Sequence, residues 1–268
     1  MYPDVLELWK FYDRPLGRVA RTLIRAQIRG IWPNVRGMNV AGFGYATPYL
    51  EAFLGEATRT IALMPAEQGV VVWPEASGVM SALTVETRFP LAAESFDRIL
   101  LVHSVENSEA LRGLLRQVWQ VLAPGGRVLI VAPNRHGFWA RRDKTPFGTG
   151  RPFTRRQLGE LLRGALFTPT LWRTTLFVPP FGLRALMRSV GLWEKLGGLG
   201  GQRFAGVILV EAAKQVYALP PATAEKVSPA RLLAPIRVLP SANVKANSNV
   251  SAKVSHPGSV SHAKREED

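Results

Sequence analysis

A doubly wound α/β sheet, mostly parallel and with helices on both faces, is the fold this sequence predicts, and three observations predict it. Strand-like and helix-like segments alternate through about residue 166 and finish in a strand–helix–strand close. The strongest strand pattern, Arg98–Val105 (Arg-Ile-Leu-Leu-Val-His-Ser-Val), is a continuous apolar run, as a parallel strand covered on both faces requires. A small-residue turn, Gly42-x-Gly44-x-Ala46, joins a short early strand to a helix. In such sheets a nucleotide-type ligand lies against that turn, because glycine has no Cβ and tolerates positive φ. Tight packing alone accounts for the same three small residues equally well.

Residues 1–37 form an N-terminal helical segment. Leu16, Val19, Ala20, Leu23 and Ile28 make an apolar stripe over Pro15–Gly30, and Arg14, Arg18, Arg21, Arg25 and Arg29 run along another face. The first strand is Asn39–Gly42. A helix over Tyr49–Leu54 and a strand over Arg59–Met64 follow; Gly69–Trp73 is a further apolar run and Val79–Val85 the third core strand. Ser108–Leu122 is an amphipathic helix capped by Ser108 and stopped by Ala123-Pro-Gly-Gly126, ahead of a buried strand over Arg127–Ala132. Thr154-Arg-Arg-Gln157 is a capping box opening a helix to about Ala165. Leu171–Val178, Gly182–Leu196 and Val207–Tyr217 complete the strand–helix–strand close. Residues 219–268, rich in Pro, Ala, Ser, Asn and Lys and without aromatics, bury too little to offset chain entropy and read as a disordered tail. The folded domain is therefore residues 1–218.

The chain has 268 residues, 47% of them hydrophobic, enough for a full core, and no cysteine, which excludes disulfides, thiolate metal sites and a cysteine nucleophile. No apolar run approaches membrane-span length, and the first residues lack a basic-then-apolar signal pattern, so a cytoplasmic protein with no transmembrane segment is expected. The net charge is +14; the last fifty residues hold seven basic and four acidic side chains, leaving +11 on residues 1–218. That charge is compatible with RNA or another polyanion, or simply with solubility. The densest basic–aromatic mixture is residues 135–156, where Arg135, Arg141, Arg142 and Lys144 alternate with Phe138, Trp139, Phe147 and Phe153.

Two blocks, Ser95-Phe-Asp-Arg-Ile-Leu-Leu-Val-His103 and Leu114–Val131 with its Leu-Ala-Pro-Gly-Gly core, resemble the S-adenosylmethionine-dependent methyltransferases of the seven-stranded Rossmann-like type, in particular their type 11 branch. The resemblance spans roughly residues 37–165 and implies a seven-stranded sheet, bound S-adenosylmethionine and direct methyl transfer to a small-molecule acceptor, with no metal. It places the methyl donor against Gly42, Phe43, Gly44, Tyr45 and Ala46, and against Met64, Glu86 and His103. His103 and Glu106 are the catalytic pair it suggests, and Asn107, Asn134, Arg135 and Trp139 the acceptor contacts. Three positions depart from the family pattern. Gly42, Met64-Pro65 and Val85-Glu86 stand where acids normally meet the donor's ammonium, ribose and adenine, and Ala46 and Pro48 replace two turn glycines. An inactive methyltransferase-fold binding or regulatory protein, contacting RNA through its basic surface, is the alternative these departures raise.

Overall fold

The computed structural model describes residues 1–74, 78–180, 190–198 and 204–216. Met1–Ala218 forms one compact unit; Leu219–Asp268, a second, lies outside the described residues, as does the tail expected there. In chain order the elements are α1 (Val5–Asp13), α2 (Pro15–Ile31), β1 (Asn39–Gly44), α3 (Thr47–Leu50) running into a 3-10 turn at Glu51–Phe53, β2 (Arg59–Pro65), β3 (Ser81–Thr84) and β4 (Phe96–Val102). Then come α4 (Leu111–Val121), β5 (Leu122–Pro133), a 3-10 turn at Trp139–Arg141, α5 (Arg155–Gly164), β6 (Phe167–Thr175), α6 (Val190–Gly198) and β7 (Val207–Lys214).

The seven strands form one sheet in the order β3-β2-β1-β4-β5-β7-β6. The first five pair in parallel, and β7 runs antiparallel to both β5 and β6, so the sheet is mixed rather than wholly parallel. Alternation along each strand divides the core. Val40, Met64, Leu100, Val102 and Leu129 face one side, where α1, α2 and α3 cover them. Ala41, Phe43, Leu63, Ile99 and Ile130 face the other, under α4 and α5. Both faces of the central strands are thus buried, which is why their sequences read as unbroken apolar runs.

Several boundaries differ from expectation for identifiable reasons. Within the expected helical segment 1–37, α1 is a separate helix ahead of Pro15 and begins at a cap, the Asp4 side chain accepting from the Leu6 amide at 2.8 Å. Ser108 does not cap α4: the helix starts at Leu111 behind Ala110, whose amide donates to Glu86 Oε1 at 2.6 Å. Leu122 already pairs with Phe96, so Ala123–Gly126 is an irregular opening of β5 and not a turn outside it; Gly125 takes φ 76° there. The first crossover helix is four residues and a 3-10 turn. Val79–Val85 shrinks to the four-residue edge strand β3, with Ala82 and Leu83 exposed, and Gly69–Trp73 is not a strand. The connection from β2 to β3 contains no helix among its described residues. The Leu171–Val178 strand sits earlier, as β6. Of the Gly182–Leu196 helix only the part from Val190 lies within the described residues, and Tyr217 falls outside them. The Thr154–Gln157 capping box forms as expected.

Glu211 of β7 fastens this framework. It accepts from Trp32 Nε1 at the end of α2 (2.9 Å), from Arg127 of β5 (2.7 Å) and from Thr170 of β6 (2.8 Å). Burial opposes its ionisation, but the hydrogen bonds from Thr170, Trp32 and Arg127 outweigh it and hold the carboxyl below its ordinary value. A lowered folded-state value adds stability above the ordinary carboxyl pKa of about 4.3, and that stability is lost as pH falls through the folded value. Glu211→Gln is therefore expected to destabilise the protein at pH 7 by about 1–3 kcal/mol. In denaturant melts repeated at decreasing pH, the gap to wild type should close below about pH 4.

Candidate active site at the carboxyl edge of the sheet

The turn after β1 is closed by backbone. Gly44 has φ 86°, and a Cβ there would stand 2.1 Å from the Val102 carbonyl oxygen. That carbonyl accepts the Tyr45 amide at 2.9 Å, tying the end of β1 to the end of β4. A Cβ on Gly42 would meet Ala46 and Leu50 at 2.6 and 2.7 Å. Both glycines therefore answer to internal packing, and Phe43, Tyr45, Ala46 and Thr47 are all buried. Phe43 packs on Phe89 in the α4-side core, and Met64 is fully buried in the opposite one.

His103 directly follows β4 with φ 50°, a left-handed conformation that a non-glycine residue keeps only where its surroundings fix it. Its ring is fully buried against Phe147, with centroids 4.8 Å apart. The next residues coil into a turn, the Asn107 and Ser108 amides donating to the Ser104 carbonyl, and this returns Glu106 to His103. Glu106 Oε1 faces His103 Nδ1 across 3.4 Å, and the carboxylate is 2% exposed. On the other side of the ring, Nε2 is 2.7 Å from the Tyr12 hydroxyl, itself 2.9 Å from the Tyr49 hydroxyl. Nε2 is in hydrogen-bond contact with Tyr12, whereas Nδ1 and Glu106 Oε1 lie within ion-pair range without forming a hydrogen bond. Burial, first of all, drives the Tyr12 and Tyr49 phenols well above their ordinary values, and lifts Tyr45, stacked on Tyr12 at 5.6 Å, to about 12. All three remain hydroxyl donors near neutral pH.

Residues 2–12 cross this edge. The Tyr2 hydroxyl donates to Glu86 Oε2 at 2.7 Å, the Val5 amide to the Gln68 carbonyl at 2.8 Å, and Tyr12 reaches His103. Ends of β2, β3 and β4 are thereby covered by one segment. Glu86, expected beside the adenine, is occupied instead by Tyr2 and the Ala110 amide. Beneath the cover, both amide atoms of Gln68, His103 Nδ1, the Ser104 hydroxyl, Asn107 Oδ1 and both Glu106 oxygens are buried without a hydrogen-bond partner among the described residues. Each such group costs about 1–3 kcal/mol, and their gathering at the carboxyl ends of β2 and β4 makes this edge the candidate site.

The remaining expected contacts spread out. Asn134 is buried and donates to the Ala205 carbonyl at 2.9 Å, Arg135 is exposed with Nε on the Pro152 carbonyl at 3.2 Å, and Asn107 donates to the His103 carbonyl at 3.2 Å. Trp139 is fully buried, its indole N–H on the Val178 carbonyl at 2.8 Å. The aromatics of that basic loop are engaged within the protein: Trp139 and Phe147 in the core, Phe138 stacked on Phe204. Tyr12, Tyr49 and Gln68 are site residues the sequence did not single out. The helical spacing of Val5, Leu8 and Tyr12 behind Asp4 was the available sign of α1, but it says nothing of where α1 docks.

Residues 41–130 match the methyltransferase domain family. The chain resembles the S-adenosylmethionine-dependent methyltransferases of the Rossmann-like type. A Thermotoga maritima protein of that class, described as a possible histamine N-methyltransferase, shares the methyltransferase fold at 16% identity and a TM-score of 0.52, over 78% of this chain and 100% of its own. One from Archaeoglobus fulgidus superposes at 15% identity and a TM-score of 0.52, over 72% and 94%. The 4+2 cyclase SpnF does so at 18% and 0.51, over 75% and 83%. No curated protein matches the sequence. A cyclase among these neighbours shows that the methyltransferase fold alone does not set the reaction, which rests on the site residues. No described helix is long and apolar enough to cross a membrane.

Gly44→Ala should be among the most damaging single-methyl changes in the protein. It forces a left-handed φ on alanine and drives a Cβ into the Val102 carbonyl. We expect a loss of more than about 2 kcal/mol in chemical denaturation, against no loss or a gain of up to about 1 kcal/mol for Gly164→Ala, in helix α5, where a Cβ meets nothing within 4 Å.

Proposed function

We propose that this protein transfers a methyl group from S-adenosylmethionine to a small-molecule acceptor at the carboxyl edge of the sheet, with His103 as general base and Glu106 as its orienting partner. The observation that carries the reading is the buried alignment Tyr12–His103–Glu106, a carboxylate on one ring nitrogen and a hydroxyl on the other. A carboxylate behind an imidazole fixes its tautomer and stabilises the imidazolium formed when the far nitrogen takes a proton.

The residues present fit such a donor in a particular way. The usual acids are absent at Gly42, Met64 and Val85, but Gln68, Ser104 and Asn107 supply unpartnered polar atoms near the ends of β2 and β4. These are the groups we assign to hold the donor once residues 2–12 draw aside. When bound, S-adenosylmethionine supplies an electrophilic methyl on a positively charged sulfur. The protein's part is to orient the acceptor in line, exclude water and receive a proton. In the present arrangement the Tyr12 hydroxyl occupies the Nε2 lone pair; in the reaction an acceptor hydroxyl or amine takes that position and loses its proton to Nε2.

Titration calorimetry with S-adenosylmethionine is the direct test. Saturable heat is expected, and a folded protein giving none at millimolar donor would refute the methyl-transfer reading in favour of a binding or regulatory module. Once a methyl acceptor has been found by radiolabel transfer, His103→Gln should lower kcat by about 10²–10⁴-fold while leaving donor affinity within a few-fold of wild type. An undiminished rate would remove the base.

A further inference from the structure

Beside the site just described, α1, α2, the turn after β1 and the β2–β3 connector enclose an open cleft of about 880 Å³. This is the size of a small-molecule site. Its apolar wall is exposed: Leu6 is 55% exposed, Trp9 52% and Val72 65%, with Leu54 and Val71 beside them. Two cations line the same cleft. Neither the Arg18 nor the Arg21 guanidinium has an ion-pair partner among the described residues, whereas Arg25 and Arg29, further along the same helix, are paired with Glu51 and Glu56. An independent feature points the same way. Trp73, 6% exposed and part of the lining, has its indole N–H buried without a hydrogen-bond partner among the described residues.

We infer that this cleft is a binding site for an amphiphilic carboxylic acid, its apolar body on Leu6, Trp9 and Val72 and its carboxylate on Arg18, Arg21 and the Trp73 N–H. An indole N–H can only donate, so it selects an acceptor oxygen and not an amine. Charge balance sets the number of negative charges. Glu51 also lines the cleft but is paired with Arg25 at 3.9 Å, so Asp13 alone offsets one of the two arginines, and the single positive charge left over matches a monoanion better than a polyphosphate or a nucleic-acid strand. The site needs nothing from the methyl-transfer reading. It does touch the candidate active site, because the Tyr12 ring lines the cleft while its hydroxyl holds His103.

Decanoate and decanol, matched in chain length, are suitable probes, with quenching of tryptophan fluorescence as the readout in the full chain. Saturable decanoate binding is expected, at least about tenfold tighter than decanol, because a hydrogen bond to a charged group is worth roughly a tenfold change or more. Arg18→Gln/Arg21→Gln should weaken decanoate by about tenfold or more and leave decanol unchanged, with the circular dichroism spectrum intact. Trp73→Phe keeps the ring, so it should weaken decanoate alone. Equal affinity for acid and alcohol, no saturable decanoate binding, or an unaffected double variant would overturn the site. So would capture by phosphatidylglycerol vesicles that decanoate cannot reverse, which would make the face a membrane surface. These outcomes are independent of the donor calorimetry, so either idea can fail alone.

Discussion

A single backbone hydrogen bond, from the Tyr45 amide to the Val102 carbonyl at 2.9 Å, sets the geometry on which the candidate site depends. It joins the ends of the two central strands at a distance that excludes a side chain on Gly44. From one side it presents Tyr45 to stack on Tyr12; from the other it fixes the residue just before His103. The left-handed turn of His103 then places the imidazole between Tyr12 and Glu106. A glycine turn that looks from sequence like an opening for a ligand is, in the folded protein, the clasp that positions the groups beside it.

The central sheet was legible because both of its faces are buried. Continuous apolar runs such as Ile99–Val102, the part of the expected Arg98–Val105 strand that ends β4, and the helix–Pro-Gly-Gly–strand block reflect a requirement that local sequence must satisfy. Elements under weaker local demands were misjudged. β3 is a short edge strand whose Ala82 and Leu83 face solvent, so its apolar residues carry no information about depth. Leu122 starts a strand, and does not merely end a helix, because Phe96 pairs with it from a distance in sequence.

The site divides in the same way. That His103 and Glu106 lie together could be anticipated, since both follow the end of a central strand, where such sheets place their ligand-facing loops. Tyr12 and Gln68 could not be, because their roles come from docking α1 across strand ends, a long-range arrangement with no local signature. Conversely, Trp139 and Asn134 have the residue types of a binding loop but spend their polar atoms on the Val178 and Ala205 carbonyls. The residue type alone does not reveal whether its hydrogen-bonding capacity is already spent inside the fold.

The strand order also governs how the protein can be made. β7, the last strand among the described residues, inserts between β5 and β6 and is the only strand among them that β6 pairs with. On the ribosome, β5 emerges with one edge bare and β6 with no strand to join, and both wait for residues 207–214. Glu211, whose carboxylate collects Trp32, Arg127 and Thr170, arrives with them. A nascent chain stalled before that point would carry an unpaired central edge, the kind of surface that recruits chaperones or another copy of itself. Completion of this sheet is therefore a late event in synthesis, set by its last strand, although most of its core residues are translated long before.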